Sequence, residues 1–122
     1  MNEKHVTSLA LSKRLKELGC KQESEYYIHF DKFQNCCVIR PLYQAIVPAP
    51  IVIPKNWYST FLASELGEML PMGYVTWHKT LTEWYCAESV YDDEPNSQQR
   101  NTMPEAMGQM LAYLIEHDLL KV

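Results

Sequence analysis

Glycine is scarce in this chain, with four residues spread along 122 positions: Gly19, Gly67, Gly73 and Gly108. A loop that wraps a phosphate with backbone N–H groups needs several glycines close together, as in the P-loop or in GxGxxG. The sequence therefore excludes both of these nucleotide-binding motifs. The acidic run Asp92-Asp93-Glu94 lacks the spacing and the central glycine of an EF-hand, so a calcium loop is excluded there as well.

Metal-ligand spacing is also missing. The chain has four cysteines and four histidines, but none of them forms CxxC or HxxxH, and the neighbours Cys36 and Cys37 would point to opposite faces of a strand. We expect no metal, no cofactor and four reduced, structural thiols, because nothing in the sequence indicates secretion. A catalytic Cys–His pair stays open as an alternative, although no flanking signature marks a nucleophile.

Long apolar runs are absent, and the first residues are charged where a signal peptide needs an apolar segment. We therefore expect a cytoplasmic protein without a membrane partner. The net charge of −4 opposes binding to phosphate backbones. Lys13, Arg14 and Lys16 are interpreted as the solvated face of a helix, so nucleic acid is not an expected partner.

Hydrophobic residues make up 47% of the chain, which is typical of a folded domain. Their pattern predicts one α+β domain over residues 1–122, with the order helix, β-hairpin, proline-rich connection, helix, β-hairpin and helix, and with antiparallel sheet packed against the helices. Residues 8–18 form the first predicted helix, since leucines recur there at helical spacing. Thr7 or Ser8 can cap its start, and Gly19 can take the left-handed conformation at its end.

Two hairpins are predicted from stretches rich in aromatic and β-branched residues. Residues 25–30 and 36–40 are joined by a polar stretch of hairpin-loop length. Residues 74–79 and 81–87 form the second pair, with a turn near Lys79.

The connection over residues 41–58 contains four of the seven prolines, which excludes a helix and argues against a central strand. It is too apolar for a free linker. We expect it to pack on the domain as an edge strand or loop through the residues Ile46, Val47, Ile51, Val52 and Ile53.

The second helix is predicted over residues 60–70, capped by Ser59 or Thr60. Glu65 and Glu68 lie three apart, as in the magnesium-binding ExxE of helical pyrophosphohydrolases. Because a second acidic helix motif is missing, we interpret them as a solvated helix face.

Residues 92–101 contain no apolar side chain and are predicted to form an exposed loop. The third helix follows, because Thr102 and Glu105 have the spacing of a capping box and Pro104 suits a first turn. Its apolar stripe should be buried in the core and consists of Met103, Met107, Met110, Leu111 and Leu114.

Aromatic residues cluster on the second hairpin, where we expect a binding surface with acidic neighbours at residues 92–94. One face of the hairpin should pack on the helices and leave the other exposed. The alternative is that the aromatic residues all belong to the core. The predicted binding residues are Tyr74, Trp77, Trp84 and Tyr85.

Three segments, LSKRLKELG at 11–19, FLASELGEMLP at 61–71 and TMPEAMGQMLAYLIE at 102–116, resemble small uncharacterised proteins of bacteriophages and prophages. The resemblance implies a mobile-element accessory protein in bacterial cytoplasm and supplies no catalytic residue. With the missing catalytic motifs, it predicts a non-enzymatic module that binds a host or phage protein, with a homodimer left open. The alternative is a small-ligand-binding domain or an unrecognised hydrolase, which a pocket joining His29 or His78 to Cys or Glu side chains would favour.

Overall fold

A computed structural model of the protein describes residues 3–41, 54–80, 82–88 and 97–121. These residues form three α-helices and two antiparallel three-stranded sheets, which confirms the predicted α+β class. A 3-10 turn at Glu3–His5 comes first. The helices and strands then follow in the order α1 (Leu9–Glu17), β1 (Tyr26–Asp31), β2 (Cys36–Pro41), β3 (Tyr58–Thr60), α2 (Ala63–Met69), β4 (Val75–Thr80), β5 (Glu83–Ala87), β6 (Ser97–Arg100) and α3 (Met103–Glu116).

Helix α1 begins and ends as its sequence predicts. The Ser8 hydroxyl accepts a hydrogen bond from the Leu11 N–H at 3.3 Å, which is the N-cap interaction. Gly19 has φ 97°, the left-handed conformation that glycine adopts without strain at the end of a helix. Leu11 and Leu15 are buried, so the leucine face of α1 lies in the core.

The first sheet has the strand order β2-β1-β3, with β1 antiparallel to both neighbours. The β1–β2 hairpin is the predicted one, with Asp31 opposite Cys36 at its closed end. The Asp31 carboxylate accepts a hydrogen bond from the Phe33 N–H at 2.8 Å, and Asn35 takes a positive φ of 55°. Aspartate and asparagine both favour such turn conformations, and this explains the tight loop.

Strand β3 corrects the sequence prediction that Ser59 and Thr60 cap the second helix. Both residues are fully buried in a strand, and Ser59 lies opposite Tyr27 of β1. The Thr60 hydroxyl donates to the Thr7 carbonyl at 2.5 Å, and the Thr7 hydroxyl in turn accepts from the Phe61 N–H at 3.1 Å. Because the Thr60 hydroxyl is used in this buried hydrogen bond, it is not available to cap a helix. The Ser59 hydroxyl is buried in the strand without a hydrogen-bond partner among the described residues.

Helix α2 therefore starts three residues later than predicted, at Ala63, with Leu62 at the N-cap position. The Glu65 carboxylate accepts from the Leu62 N–H at 2.9 Å and from the Glu25 N–H at 3.1 Å. Glu65 thus supplies the helix start with a carboxylate and ties it to the segment before β1. Glu65 and Glu68 were both predicted to lie on a solvated helix face. Glu68 does so, since it is exposed, whereas Glu65 is used at the helix start.

The second sheet has the strand order β4-β5-β6. Its third strand corrects the prediction that residues 92–101 form an exposed loop. Part of the predicted exposed loop is strand β6, in which Gln98 lies opposite Cys86 and is 7% exposed. Four polar residues become a strand here because β5 offers an unpaired edge, a tertiary effect that outweighs low intrinsic strand propensity. Residues 92–96 of the predicted loop lie outside the described residues.

The proline-rich connection is only partly described. Its apolar residues between 46 and 53 lie outside the described residues, so the prediction that they pack as an edge strand or loop stays a prediction. The chain is described again from Pro54 and enters β3 at Tyr58. Strands β2 and β3, which the connection joins, lie on opposite edges of β1.

Helix α3 is the central element of the core. Met110, Leu111 and Leu114 are each at most 2% exposed, and they form one cluster with side chains of α1, α2 and β5. Thr102 is the N-cap as predicted, since its hydroxyl accepts from the Glu105 N–H at 3.3 Å. The Glu105 carboxylate accepts from the Ser8 N–H, which joins the start of α3 to the start of α1.

Candidate functional site

The aromatic residues of the second sheet divide between its two faces. Trp77 lies opposite Tyr85 and His78 opposite Trp84, and cross-strand partners point to the same face of a sheet. Tyr74 and Trp84 pack against the hydrophobic core. Of the four predicted binding residues, Tyr74 and Trp84 therefore lie on the side of the helices.

Trp77 and Tyr85 form a cross-strand pair on the opposite face of the sheet from Trp84. Their rings are stacked, with centroids 5.5 Å apart and planes 14° from parallel. Both side chains are half-buried, and the neighbouring Val75 on β4 is 43% exposed. This sheet face presents an aromatic pair with an apolar neighbour, whereas the acidic residues expected beside it, 92–94, lie outside the described residues.

Trp84 also lines an open cleft of about 710 Å³. The cleft lies where the N-terminal 3-10 turn, the start of α2, strand β5 and the start of α3 meet. The described residues that line it are Lys4, His5, Ala63, Thr82, Trp84, Asn101, Thr102, Met103 and Pro104. A volume of this size is within the range of small-molecule sites, and the lining combines one large aromatic ring with amide, hydroxyl and basic groups.

A smaller cleft of about 310 Å³ adjoins the first and shares Lys4 and Thr102 with it. It reaches the first sheet at Ile28 and Cys37 and includes the Glu105 carboxylate, which is already bound to the Ser8 N–H. The two clefts together follow the surface between the two sheets on the side where α1 and α3 begin.

His29 belongs to a separate cluster on the first sheet. Its ring stacks on Trp57 with centroids 4.5 Å apart and planes 5° from parallel, and its Nε2 accepts from Arg40 Nε at 3.0 Å. Arg40 also lies 5.7 Å from the Trp57 ring centroid. His29 is thus held by an arginine and an indole and not by the Cys or Glu side chains that would favour a hydrolase.

His78 is exposed and stacks on Trp84, with centroids 4.6 Å apart and planes tilted by 33°. Its Nδ1 lies 3.3 Å from the Thr80 carbonyl oxygen. Neither of these contacts is with a thiol or a carboxylate. His78 therefore contacts the Trp84 ring and helps to hold it in place.

The four cysteines are free thiols in different surroundings. Burial raises the pKa of the Cys20 and Cys86 thiols, and for Cys86 a hydrogen bond from Thr76 opposes that rise in part. A raised pKa keeps a thiol protonated and unreactive. Cys36 is exposed and Cys37 half-buried, as expected of neighbours on opposite faces of a strand.

Across the four described ranges, no three His, Cys, Asp or Glu side chains converge closely enough to hold a metal ion. In the same ranges no helix has the length and apolar character to cross a membrane.

The three cations of α1 were predicted to form a solvated helix face, but Arg14 is in an ion pair. It binds Glu116 of α3 through two nitrogens at 2.5 and 3.0 Å. This hydrogen bond lowers the pKa of the Glu116 carboxyl.

No protein-family model, curated protein or solved structure matches this chain. The sequence prediction included Trp84 but missed Lys4, His5 and Asn101, which are distant from it along the chain. No local pattern marks these three residues, because only the fold brings them to one cleft.

Proposed function

We propose that this chain is a non-enzymatic protein-binding module of the bacterial cytoplasm, the role implied by its resemblance to accessory proteins of phages and prophages. Its binding surface is the outer face of the second sheet, defined by Val75, Trp77 and Tyr85. The stacked pair of Trp77 and Tyr85 carries this proposal, because it is the part of the predicted aromatic surface that does not pack against the core.

Aromatic side chains of this kind are frequent binding hot spots. Trp and Tyr bury a large area with few rotatable bonds, so they lose little conformational entropy on binding. The two rings already contact each other across β4 and β5, which fixes them before a partner arrives. The sheet below them is supported from the other side by α3 through the buried Cys86 and the half-buried Trp84. A rigid aromatic pair on a supported sheet is well suited to a protein partner.

The test compares Trp77→Ala and Tyr85→Ala with the control Met72→Ala. Met72 is also a large apolar residue and is 101% exposed, in the turn between α2 and β4. We expect the two sheet variants to lose a captured bacterial or phage protein, or to lose a homodimer measured by sedimentation, while they remain folded by circular dichroism. Met72→Ala should retain both properties.

Two results would contradict the proposal. If folded Trp77→Ala and Tyr85→Ala proteins retain every association of the unmodified chain, the outer face is not the interface. If all three substitutions weaken association equally, the association depends on general surface hydrophobicity.

A further inference from the structure

Strand β4 is an outer strand of the second sheet. It pairs with β5 on one side, and among the described residues no strand pairs with its other side. The register of the β4–β5 ladder shifts between His78 and Thr80, so the regular edge extends from Val75 to His78. Val75 is 43% exposed and His78 is also exposed, so this edge lies at the surface of the protein. A regular edge at the surface offers backbone N–H and C=O groups to a further strand.

The residues of this edge do not protect it from strand addition. Folded proteins usually prevent such pairing with proline or with charged side chains, lysine above all, on the outer strand. The segment from Val75 to His78 contains no proline, lysine, arginine or acidic residue, and the irregularity of the ladder comes only after it. An edge of this kind is suited to an extended segment of another chain.

A second copy of the chain provides a segment that fits the edge. Antiparallel pairing of two β4 strands around a two-fold axis at Thr76 places Val75 of each copy opposite Trp77 of the other, with the two Thr76 residues opposite each other. Pairs of a β-branched with an aromatic residue, and pairs of two threonines, are favourable across antiparallel strands. An axis at Val75 or at Trp77 would instead pair strand residues with Gly73 in the preceding turn or with the irregular position after His78.

This register also keeps the two faces of the sheet continuous. Val75 and Trp77 are two residues apart on the strand and point to the same face, whereas Thr76 points to the face of the buried Cys86. The outer face of one copy therefore continues into the outer face of the other. The exposed Val75 side chain would be covered by an indole ring that is already held by its stacking on Tyr85.

We propose that two copies of this chain associate through β4, in antiparallel pairing centred on Thr76, and form one six-stranded sheet. The inference rests on the proposed function, because Val75 and Trp77 belong to the outer face, and it names a second copy of the chain as the partner. One short strand per copy is much less than the roughly 20 to 30 residues per side of a standard interface. The dimer is therefore weak, with a dissociation constant between about 10 µM and 1 mM.

The experiment exchanges charges across the cross-strand pair. Val75→Glu and Trp77→Lys are each made in the full chain, and association is measured by sedimentation from about 10 µM to 1 mM. Each variant alone should associate about tenfold more weakly than the unmodified chain, because two charges then lie against apolar side chains. In a 1:1 mixture the new glutamate lies opposite the new lysine and one unmodified pair remains, so association should be about tenfold tighter than for either variant. Met72→Glu, fully exposed in the turn before β4, is the charge control and should dimerise like the unmodified chain.

A cross-link tests the register without a change at Trp77, and it replaces the mixture if Trp77→Lys does not fold. The Val75 residues of the two copies lie diagonally across the pair, about 7 to 8 Å apart. In a chain with Cys36→Ser and Cys37→Ser, Val75→Cys should be joined into a dimer by a bismaleimide with a span of about 8 Å. Phe33→Cys, fully exposed in the β1–β2 loop, is the matched control and should stay monomeric with the same reagent.

The proposal is overturned if the unmodified chain sediments as a monomer over the whole range, or if Val75→Cys and Phe33→Cys cross-link equally. It is also overturned if the mixture associates no more tightly than its two components, because the partner at the edge is then not a second copy in this register. A monomeric chain whose Trp77→Ala variant loses a different captured protein contradicts the dimer alone. A dimer that Trp77→Ala and Tyr85→Ala both retain contradicts the dimer model and the proposed function together.

Discussion

Two glycines within helices should respond in opposite ways to the same substitution. A Cβ atom on Gly108 of α3 would lie 2.6 Å from Leu11 Cδ2 and 3.1 Å from Thr7 Cγ2. A Cβ atom on Gly67 of α2 would lie 3.6 Å from Met107 Cε, which is an ordinary contact. Gly108→Ala and Gly67→Ala therefore test whether α1 and α3 approach each other as closely as the structure has them.

The expected change in the free energy of unfolding is the sum of two opposing contributions. Alanine in place of glycine inside a helix stabilises by about 1 kcal/mol. Overpacking in a closed core costs about 1 to 3 kcal/mol, and Leu11 and Thr7 are at most 2% exposed, so neither can move into solvent. We expect Gly108→Ala to lose about 1 kcal/mol in net stability and Gly67→Ala to gain up to about 1 kcal/mol.

Thermal and denaturant unfolding of both variants measure this difference. For a chain of this length 1 kcal/mol corresponds to about 4 °C in melting temperature, so the two proteins should melt roughly 8 °C apart. In a Leu11→Ala background the cost of Gly108→Ala should become smaller, because the nearer of the two methyl groups is gone and the contact with Thr7 remains. If Gly108→Ala melts at or above the unmodified chain, the close approach of α1 and α3 is refuted.

Three further predictions concern other parts of the core and its electrostatics. Met110→Asp should destabilise by about 3 to 5 kcal/mol in denaturant unfolding, because Met110 is 1% exposed and the new charge has no partner there; an unchanged midpoint would remove Met110 from the core. Thr7→Val keeps the shape but removes the acceptor of the Phe61 N–H, so it should cost about 1 to 3 kcal/mol, and a neutral result would mean that another acceptor replaces it. Glu116→Gln should lower the free energy of unfolding at pH 7 and have no effect at a pH below the folded pKa of Glu116. A carboxyl with a lowered pKa stabilises the fold when it is ionised and loses that contribution as it is protonated. Urea unfolding at several pH values measures this, and an equal difference between the two proteins at every pH would contradict it.

The elements predicted correctly are those whose signals are local. Thr7 or Ser8 was predicted to cap the first helix and Thr102 the last, because a helix start needs a nearby hydroxyl, and the structure has Ser8 and Thr102 in these positions. The β1–β2 hairpin was likewise predicted from two aromatic-rich runs and the polar stretch between them. Each of these signals depends on residues within one turn or one loop.

The missed elements depend on pairing with distant residues. Strand β3 exists because Ser59 lies opposite Tyr27, and its hydroxyl residues resemble a helix cap when considered alone. Strand β6 exists because Gln98 lies opposite Cys86. The cleft is missed for the same reason, since Lys4 and Trp84 line one cleft only after the N-terminal turn, β5 and α3 have come together. Local sequence patterns do not report such contacts.

Helices α1 and α3 run in the same direction, and this has an electrostatic consequence. Ser8 meets Glu105 near their starts, while Arg14 meets Glu116 further along. Two helices side by side with like ends together place their macrodipoles in an unfavourable alignment, with partial positive charge at both starts. The Glu105 carboxylate lies between the two positive ends, and the Arg14 guanidinium lies beside the final carboxylate of α3. The Glu105 anion thus offsets the repulsion between the two positive helix starts, and Arg14 compensates the Glu116 carboxylate at the other end. A charge reversal at Glu105 would therefore act on both helices at once.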